Sequence, residues 1–105
     1  MAALLAGAAV VLPLAAKGRE VAKISAPTVV IEGTTYEPQT LTVKRGETVV
    51  WINRDPFPHT VTAAGVFDSR PIAAGRSWKY EARRRGEFPY LCTLHPNMKG
   101  ILRVE

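Results

Sequence analysis

Three side chains able to bind a soft metal ion follow one another at intervals of three in Cys92-Thr93-Leu94-His95-Pro96-Asn97-Met98. The only other histidine, His59, lies 33 residues before Cys92 in the stretch Asp55-Pro56-Phe57-Pro58-His59-Thr60-Val61. One thiol, two imidazoles and one thioether make four candidate ligands: His59, Cys92, His95 and Met98. Thiolate and thioether are soft donors that suit Cu(I), whereas imidazole serves both oxidation states, so the set fits a mononuclear copper ion that changes charge without changing ligands.

Taken singly, each residue has a blander reading. A lone cysteine is usually a buried small hydrophobe and a lone methionine core filler, and a lone histidine is more often a satisfied polar group. The coincidence carries the argument, because a chain with one cysteine, two histidines and two methionines, one of them Met1, places one of each within seven residues. Zinc is the main rival ion, but structural zinc sites are built from Cys and His and seldom recruit a thioether. A Cys–His nucleophile pair leaves Met98 without a role, and with four ligands bound no coordination position stays open for a substrate. A trigonal His2Cys set with a long axial Met is the ligand set of a blue-copper electron-transfer site. A copper carrier or buffer is the alternative, although such a protein would expose Met-rich or His-rich tracts and this chain has none.

Elements that could position these ligands are short and extended. From Pro27 onward, β-branched and aromatic runs alternate with Gly, Pro, Asn and Asp signals every 8 to 12 residues, the spacing of a β-sandwich or barrel. Strands are expected at 28–32, 36–37, 40–44, 48–53, 60–63, 77–82, 87–92 and 100–104, and no stretch carries a helical stripe. The strand at 48–53 runs into the His59 loop and the strand at 87–92 into the Cys92–Met98 loop, so both must end at one pole. The turns that start them, Lys44-Arg45-Gly46-Glu47 and Arg83-Arg84-Arg85-Gly86, belong to the opposite pole. At ~3.3 Å per residue a six-residue strand separates the poles by about 20 Å.

The phrase Val50-Trp51-Ile52-Asn53-Arg54-Asp55, the following His59, and Cys92-x-x-His95-x-x-Met98 resemble the cupredoxins, the plastocyanin and azurin family. The two-and-two spacing of the ligand loop is most similar to that of the amicyanins. The resemblance covers about residues 27–105 and implies an all-β Greek-key sandwich of about eight strands with one type 1 copper. It also implies single-electron transfer between protein partners, with His95 reaching the surface through an apolar patch supplied by Pro56, Phe57, Pro58 and Pro96. Amicyanin-like spacing suggests a dehydrogenase or oxidase and a cytochrome c as transient partners of a monomer. Asn53 has two readings: a residue that pins the His59 loop through side-chain to backbone hydrogen bonds, or an ordinary strand-end turn residue. One departure is Thr60, where the family often has Asn. It puts the usual side-chain link between the ligand loops in question and leaves the Thr60 backbone N–H to serve the Cys92 sulfur.

The chain of 105 residues is long enough for one domain. Residues 2–16 are apolar and every charged residue lies from Lys17 onward. A run this short, ending in Leu14-Ala15-Ala16, reads as a secretory signal peptide, or as an N-terminal anchor if it is retained; a spanning helix needs ~20 apolar residues. Residues 17–26 read as a polar, flexible lead-in and 27–105 as the domain, which implies a periplasmic or otherwise exported protein. With a single cysteine there is no internal disulfide, and in an exported protein a thiol left unpaired calls for a use. Lys and Arg outnumber Asp and Glu by 14 to 9, giving a net charge of +5 and a pI near 9.8. That balance favours anionic partners; Arg83, Arg84 and Arg85 read first as a solvated turn that aids solubility, and as the alternative a weak contact for an anionic surface. Nucleic acid is disfavoured, because the aromatics do not lie among the basic residues as a stacking platform requires.

Overall fold

The computed structural model describes residues 25–105. Its nine strands are β1 (Thr28–Glu32), β2 (Thr35–Glu37), β3 (Thr40–Val43), β4 (Thr48–Asn53), β5 (Thr62–Ala63), β6 (Phe67–Asp68), β7 (Ser77–Glu81), β8 (Gly86–Cys92) and β9 (His95–Val104). They form two sheets, ordered β2-β1-β4-β7 and β3-β9-β8-β5-β6. β1 runs parallel to β4, and β3 parallel to β9, while the other neighbours are antiparallel. These non-sequential pairings are the crossovers of a Greek-key sandwich. The signal peptide or anchor expected at 1–16, and the lead-in up to residue 24, lie outside the described residues.

Alternation builds the core. In β4, Val49, Trp51 and Asn53 point inward and are fully buried, while Thr48 is exposed and Val50 and Ile52 are partly so, as the two-residue period of a strand requires. Val29 and Ile31 join them from β1, and Tyr90, Cys92, Leu102 and Val104 meet them from the second sheet. An aromatic cluster bridges the layers: Trp51 lies 5.7 Å from Tyr90 and 6.1 Å from Phe67, and its Nε1–H donates to the Tyr90 hydroxyl at 3.1 Å. Burial among these rings pushes the Tyr90 phenol up to about 12. Gly100, paired with Tyr90 across β8 and β9, leaves the space the ring fills, since a Cβ there would stand 2.5 Å from Cζ.

Three differences from the expected strands have local causes. The strand expected at 60–63 shortens to Thr62–Ala63 because the Thr60 N–H turns to the Cys92 sulfur and the Val61 N–H to Ser69 Oγ instead of a ladder partner. Phe67–Asp68 is an additional strand pairing with Thr62–Ala63, and two residues carry no readable alternation. It raises the count from about eight to nine. The last strand starts at His95 and not at residue 100, because the ligand loop is itself a tight hairpin in which Cys92 pairs with His95.

Both poles form as the strand directions require. At the base, Gly46 N–H donates to the Ala82 carbonyl and Ala82 N–H to the Glu47 carbonyl, which sets the 44–47 turn beside the start of Arg83-Arg84-Arg85. The other ends of β4 and β8 carry the candidate ligands.

Candidate metal centre

Cys92 ends β8 fully buried, and its thiol is the point on which the other groups converge. Sγ lies 3.6 Å from His59 Nδ1 and 3.8 Å from His95 Nδ1, and the three ligand atoms fall within 4.8 Å of one another. A trigonal first-row ion with bonds of about 2.0 to 2.3 Å separates its donors by about 3.5 to 3.8 Å, so these spacings fit one ion among them. The donors also match copper chemically: one thiol and two imidazole nitrogens, with the buried thioether of Met98 on the same hairpin as Cys92 and His95.

The hairpin explains how residues three apart come to face one point. Leu91 pairs with Lys99, but the next pair is Cys92 with His95, so Pro96, Asn97 and Met98 have no partners on β8. Such a bulge bends its strand and re-aims its side chains. Met98 is buried at 4 % exposure, whereas Pro96 and Asn97 are exposed. His95 is half-buried and Leu94, at the hairpin tip, is 49 % exposed.

The His59 loop is held from several sides. Asn53, fully buried, donates through Nδ2 to the carbonyls of Phe57 and Ile72, both at 2.9 Å, and accepts from Asp55 N–H at 2.9 Å. Both readings of Asn53 are met: its amide pins the loop, and its Oδ1 closes a strand-end turn with Asp55. His59 itself bridges to Ile72 through backbone bonds. Tyr36, reaching across from β2, donates its hydroxyl to the Thr60 carbonyl at 2.6 Å, and burial raises its phenol far above the usual tyrosine range.

Thr60 links the two ligand loops twice. Its N–H donates to Cys92 Sγ at 3.2 Å, as expected, and its Oγ1 accepts from Thr93 N–H at 2.9 Å. The side-chain link questioned from the sequence is therefore present, with a hydroxyl in place of an amide. Thr60 Oγ1 also meets the Thr62 and Thr93 hydroxyls, at 2.9 and 3.2 Å.

Sequence reasoning missed Asp55. Its carboxylate is buried at 6 % exposure and accepts from Gly33 N–H at 2.7 Å and Thr34 N–H at 2.9 Å, while its Oδ2 lies 2.7 Å from His59 Nε2. Burial alone would raise this carboxyl, but the Thr34 and Gly33 amides, with His59 behind them, outweigh it and hold it below the usual carboxylate range. A carboxylate four residues before a candidate ligand was the available signal.

A depressed carboxyl has a stability consequence of definite sign. Above about pH 4, the value of an unperturbed Asp, Asp55 is ionised in both states and its native hydrogen bonds count fully. As pH falls, the unfolded chain takes up the proton first, so that contribution fades toward the lower native value. In the metal-free protein, the urea midpoints of wild type and Asp55→Asn should differ at pH 6 and converge toward pH 2. Parallel curves would remove Asp55 from the acid limb.

Apolar side chains surround the His95 edge. Phe57 is 41 % exposed, with its ring centroid 5.2 Å from His59 and 5.7 Å from His95. Pro56, Pro58 and Pro96 are exposed as expected. Leu94 joins the patch unanticipated.

The profile of the Cupredoxin-like domain matches residues 2–104. The chain belongs to the cupredoxin-like family. It is 40 % identical over 76 residues to the amicyanin of Paracoccus denitrificans, an alignment covering 67 % of this chain and 58 % of that one. Against the plastocyanin of Scenedesmus fuscus it is 31 % identical over 88 residues, covering 67 % and 86 %. A Cu(I) form of a mutant amicyanin superposes with a TM-score of 0.72 at 35 % identity, covering 80 % of this chain and 88 % of that one. The chain spans about three fifths of the length of the first amicyanin relatives it matches. Within this cupredoxin frame, the cluster of His59, Cys92 and His95 sits at the same pole as the bulge that buries Met98.

Proposed function

We propose that this cupredoxin is a type 1 copper protein that carries single electrons between redox partners, with His59 and His95 as imidazole ligands, Cys92 as thiolate and Met98 as axial thioether. The observation that carries the reading is the His59–Cys92–His95 cluster, whose spacings suit one ion and whose loops are tied by hydrogen bonds that need no metal. When bound, copper supplies the Cu(I)/Cu(II) couple. The protein supplies a frame set beforehand: Asn53, Tyr36 and Thr60 hold the ligand loops so that the donors have little to rearrange.

Partners are proposed to dock at the His95 pole, where Phe57, Leu94 and the three prolines form a small apolar surface beside the half-buried imidazole. An apolar surface of this size suits the small, short-lived interfaces of redox encounters. A dehydrogenase or oxidase and a cytochrome c as transient partners, and a monomeric carrier that is periplasmic or otherwise exported, fit this reading. The uncharged residues 2–16, ending in small residues, support export. With four donors engaged, the site is a carrier's and not an enzyme's.

Adding Cu(II) to the protein, followed by reduction and reoxidation, tests this. An intense visible thiolate-to-copper band that bleaches and returns is expected. A colourless protein that holds Cu(I) would be a copper carrier or buffer instead, and a preference for zinc would make the metal structural.

We also propose a weak contact with anionic surfaces at the base pole. Structure trims the free charge there: Arg83 pairs with Glu81 at 2.9 Å, and the Arg84 guanidinium lies 5.6 Å from the Phe88 ring centre. Exposed pairs of this kind are worth little and are readily exchanged, so the arginines stay available to lipid phosphates. Replacing Arg83, Arg84 and Arg85 together by Gln should weaken co-sedimentation with anionic vesicles at low salt. Unchanged binding, or none at the outset, would discard the contact.

A further inference from the structure

Asp55 is the only buried carboxylate among the described residues. Two of its three acceptor contacts come from adjacent backbone N–H groups, those of Gly33 and Thr34 in the turn joining β1 to β2, where both residues have positive φ (62° and 59°). Those values are the ones a tight hairpin turn of this hand demands, and they aim both amides at one carboxylate. The group is thereby fixed in place from the β1 side of the fold. Its remaining acceptor capacity meets His59 Nε2 at 2.7 Å.

A carboxylate can only accept, so the His59 proton belongs on Nε2. Nδ1 is then left with its lone pair, and Nδ1 is the atom 3.6 Å from Cys92 Sγ. Asp55 also carries a full charge into a buried place, and a fixed negative charge near a metal stabilises Cu(II) more than Cu(I) because the attraction scales with the ion's charge. Asn53 and Tyr36 hold the loop but bring no charge.

We infer that Asp55 is a positioning residue acting through His59. It sets the ligating tautomer before metal arrives and biases the site toward the oxidised ion. The second half of this inference rests on the copper reading above; the first does not.

Asp55→Asn separates this role from a purely structural clamp. The amide has one acceptor oxygen where the carboxylate has two, so its N–H must face either Gly33 or the pair Thr34 and His59. In the second orientation His59 accepts on Nε2 and holds its proton on Nδ1, which blocks the ligand atom, so part of the population moves to that tautomer. In the metal-free full-length protein, nitrogen NMR of His59 should show Nε2–H in wild type and a shift toward Nδ1–H in the variant. With copper, Cu(II) affinity should fall by about 10- to 100-fold, the range for partners of ligating histidines, and Cu(I) affinity should fall less. The potential would then rise by about 59 mV for each tenfold difference between the two losses. Asp55→Glu, which keeps charge and acceptor, should stay nearer to wild type in both readouts.

Equal losses of Cu(I) and Cu(II) affinity with an unchanged potential would leave only a clamp and overturn the bias. Nδ1–H in the wild-type metal-free protein would overturn the positioning role without any variant being needed. If wild type takes up no copper, the proposed function fails, while the nitrogen spectrum still decides the tautomer.

Discussion

Cys92→Ser should abolish the visible band expected of the Cu(II) form and lower copper affinity by more than the roughly 10- to 100-fold typical of lost partners of metal ligands, while leaving the metal-free domain folded. The thiol is the shared neighbour of both histidines and the acceptor of the Thr60 N–H. A serine hydroxyl occupies slightly less volume and can still accept that N–H, so the loops need not open. What it cannot supply is a soft thiolate, the donor that suits Cu(I) and gives the intense charge-transfer transition. Titration with Cu(II) followed optically, beside thermal unfolding of the metal-free variant, checks both halves. An intense band in the variant would show that Cys92 is not the ligand. A metal-free variant that is unfolded would show instead that the thiol is needed for packing.

Trp51→Ala should be the most damaging single core truncation, costing about 3 to 5 kcal/mol. Small domains are stable by about 5 to 15 kcal/mol in all, so the variant would be largely or marginally unfolded in mild denaturant. Trp51 is fully buried, touches Tyr90, Phe67 and Trp78, and gives its indole N–H to the Tyr90 hydroxyl. Removal opens a void between the sheets and strips Tyr90 of its donor. Trp51→Phe separates the two effects: most apolar contact remains, and the loss should fall to about 1 to 3 kcal/mol, the cost of a buried polar group left without its partner. Urea midpoints for both variants measure this, and near-equal losses would mean that the hydrogen bond, not the volume, governs the cluster.

How much of this was legible beforehand differs element by element. The strand at 48–53 was read with its bounds intact because its alternation spans six residues and turn signals bracket it. Phe67–Asp68 escaped, being two residues long and defined only by its partner at Thr62–Ala63. Its existence is a property of the pairing, and no local pattern announces it.

The candidate site shows the same division. His59, Cys92, His95 and Met98 were named from residue type and spacing, because metal binding depends first on donor chemistry and scarce donors are conspicuous. Asn53 was reachable as a polar residue at a strand end beside a ligand loop. Asp55 was in plain view four residues before His59, yet nothing local says that its carboxylate would be buried against the amides of Gly33 and Thr34, 22 and 21 residues away. Tyr36, 24 residues from Thr60, was equally invisible in its role.

Donor identity, strand periodicity and the polarity of the two ends are therefore written in short stretches of chain, where neighbours in sequence interact. Which groups hold the donors in place was decided by packing one sheet on the other. That step brings together side chains whose separation along the chain exceeds the reach of any local pattern, and it buries a charge that only the assembled fold can satisfy.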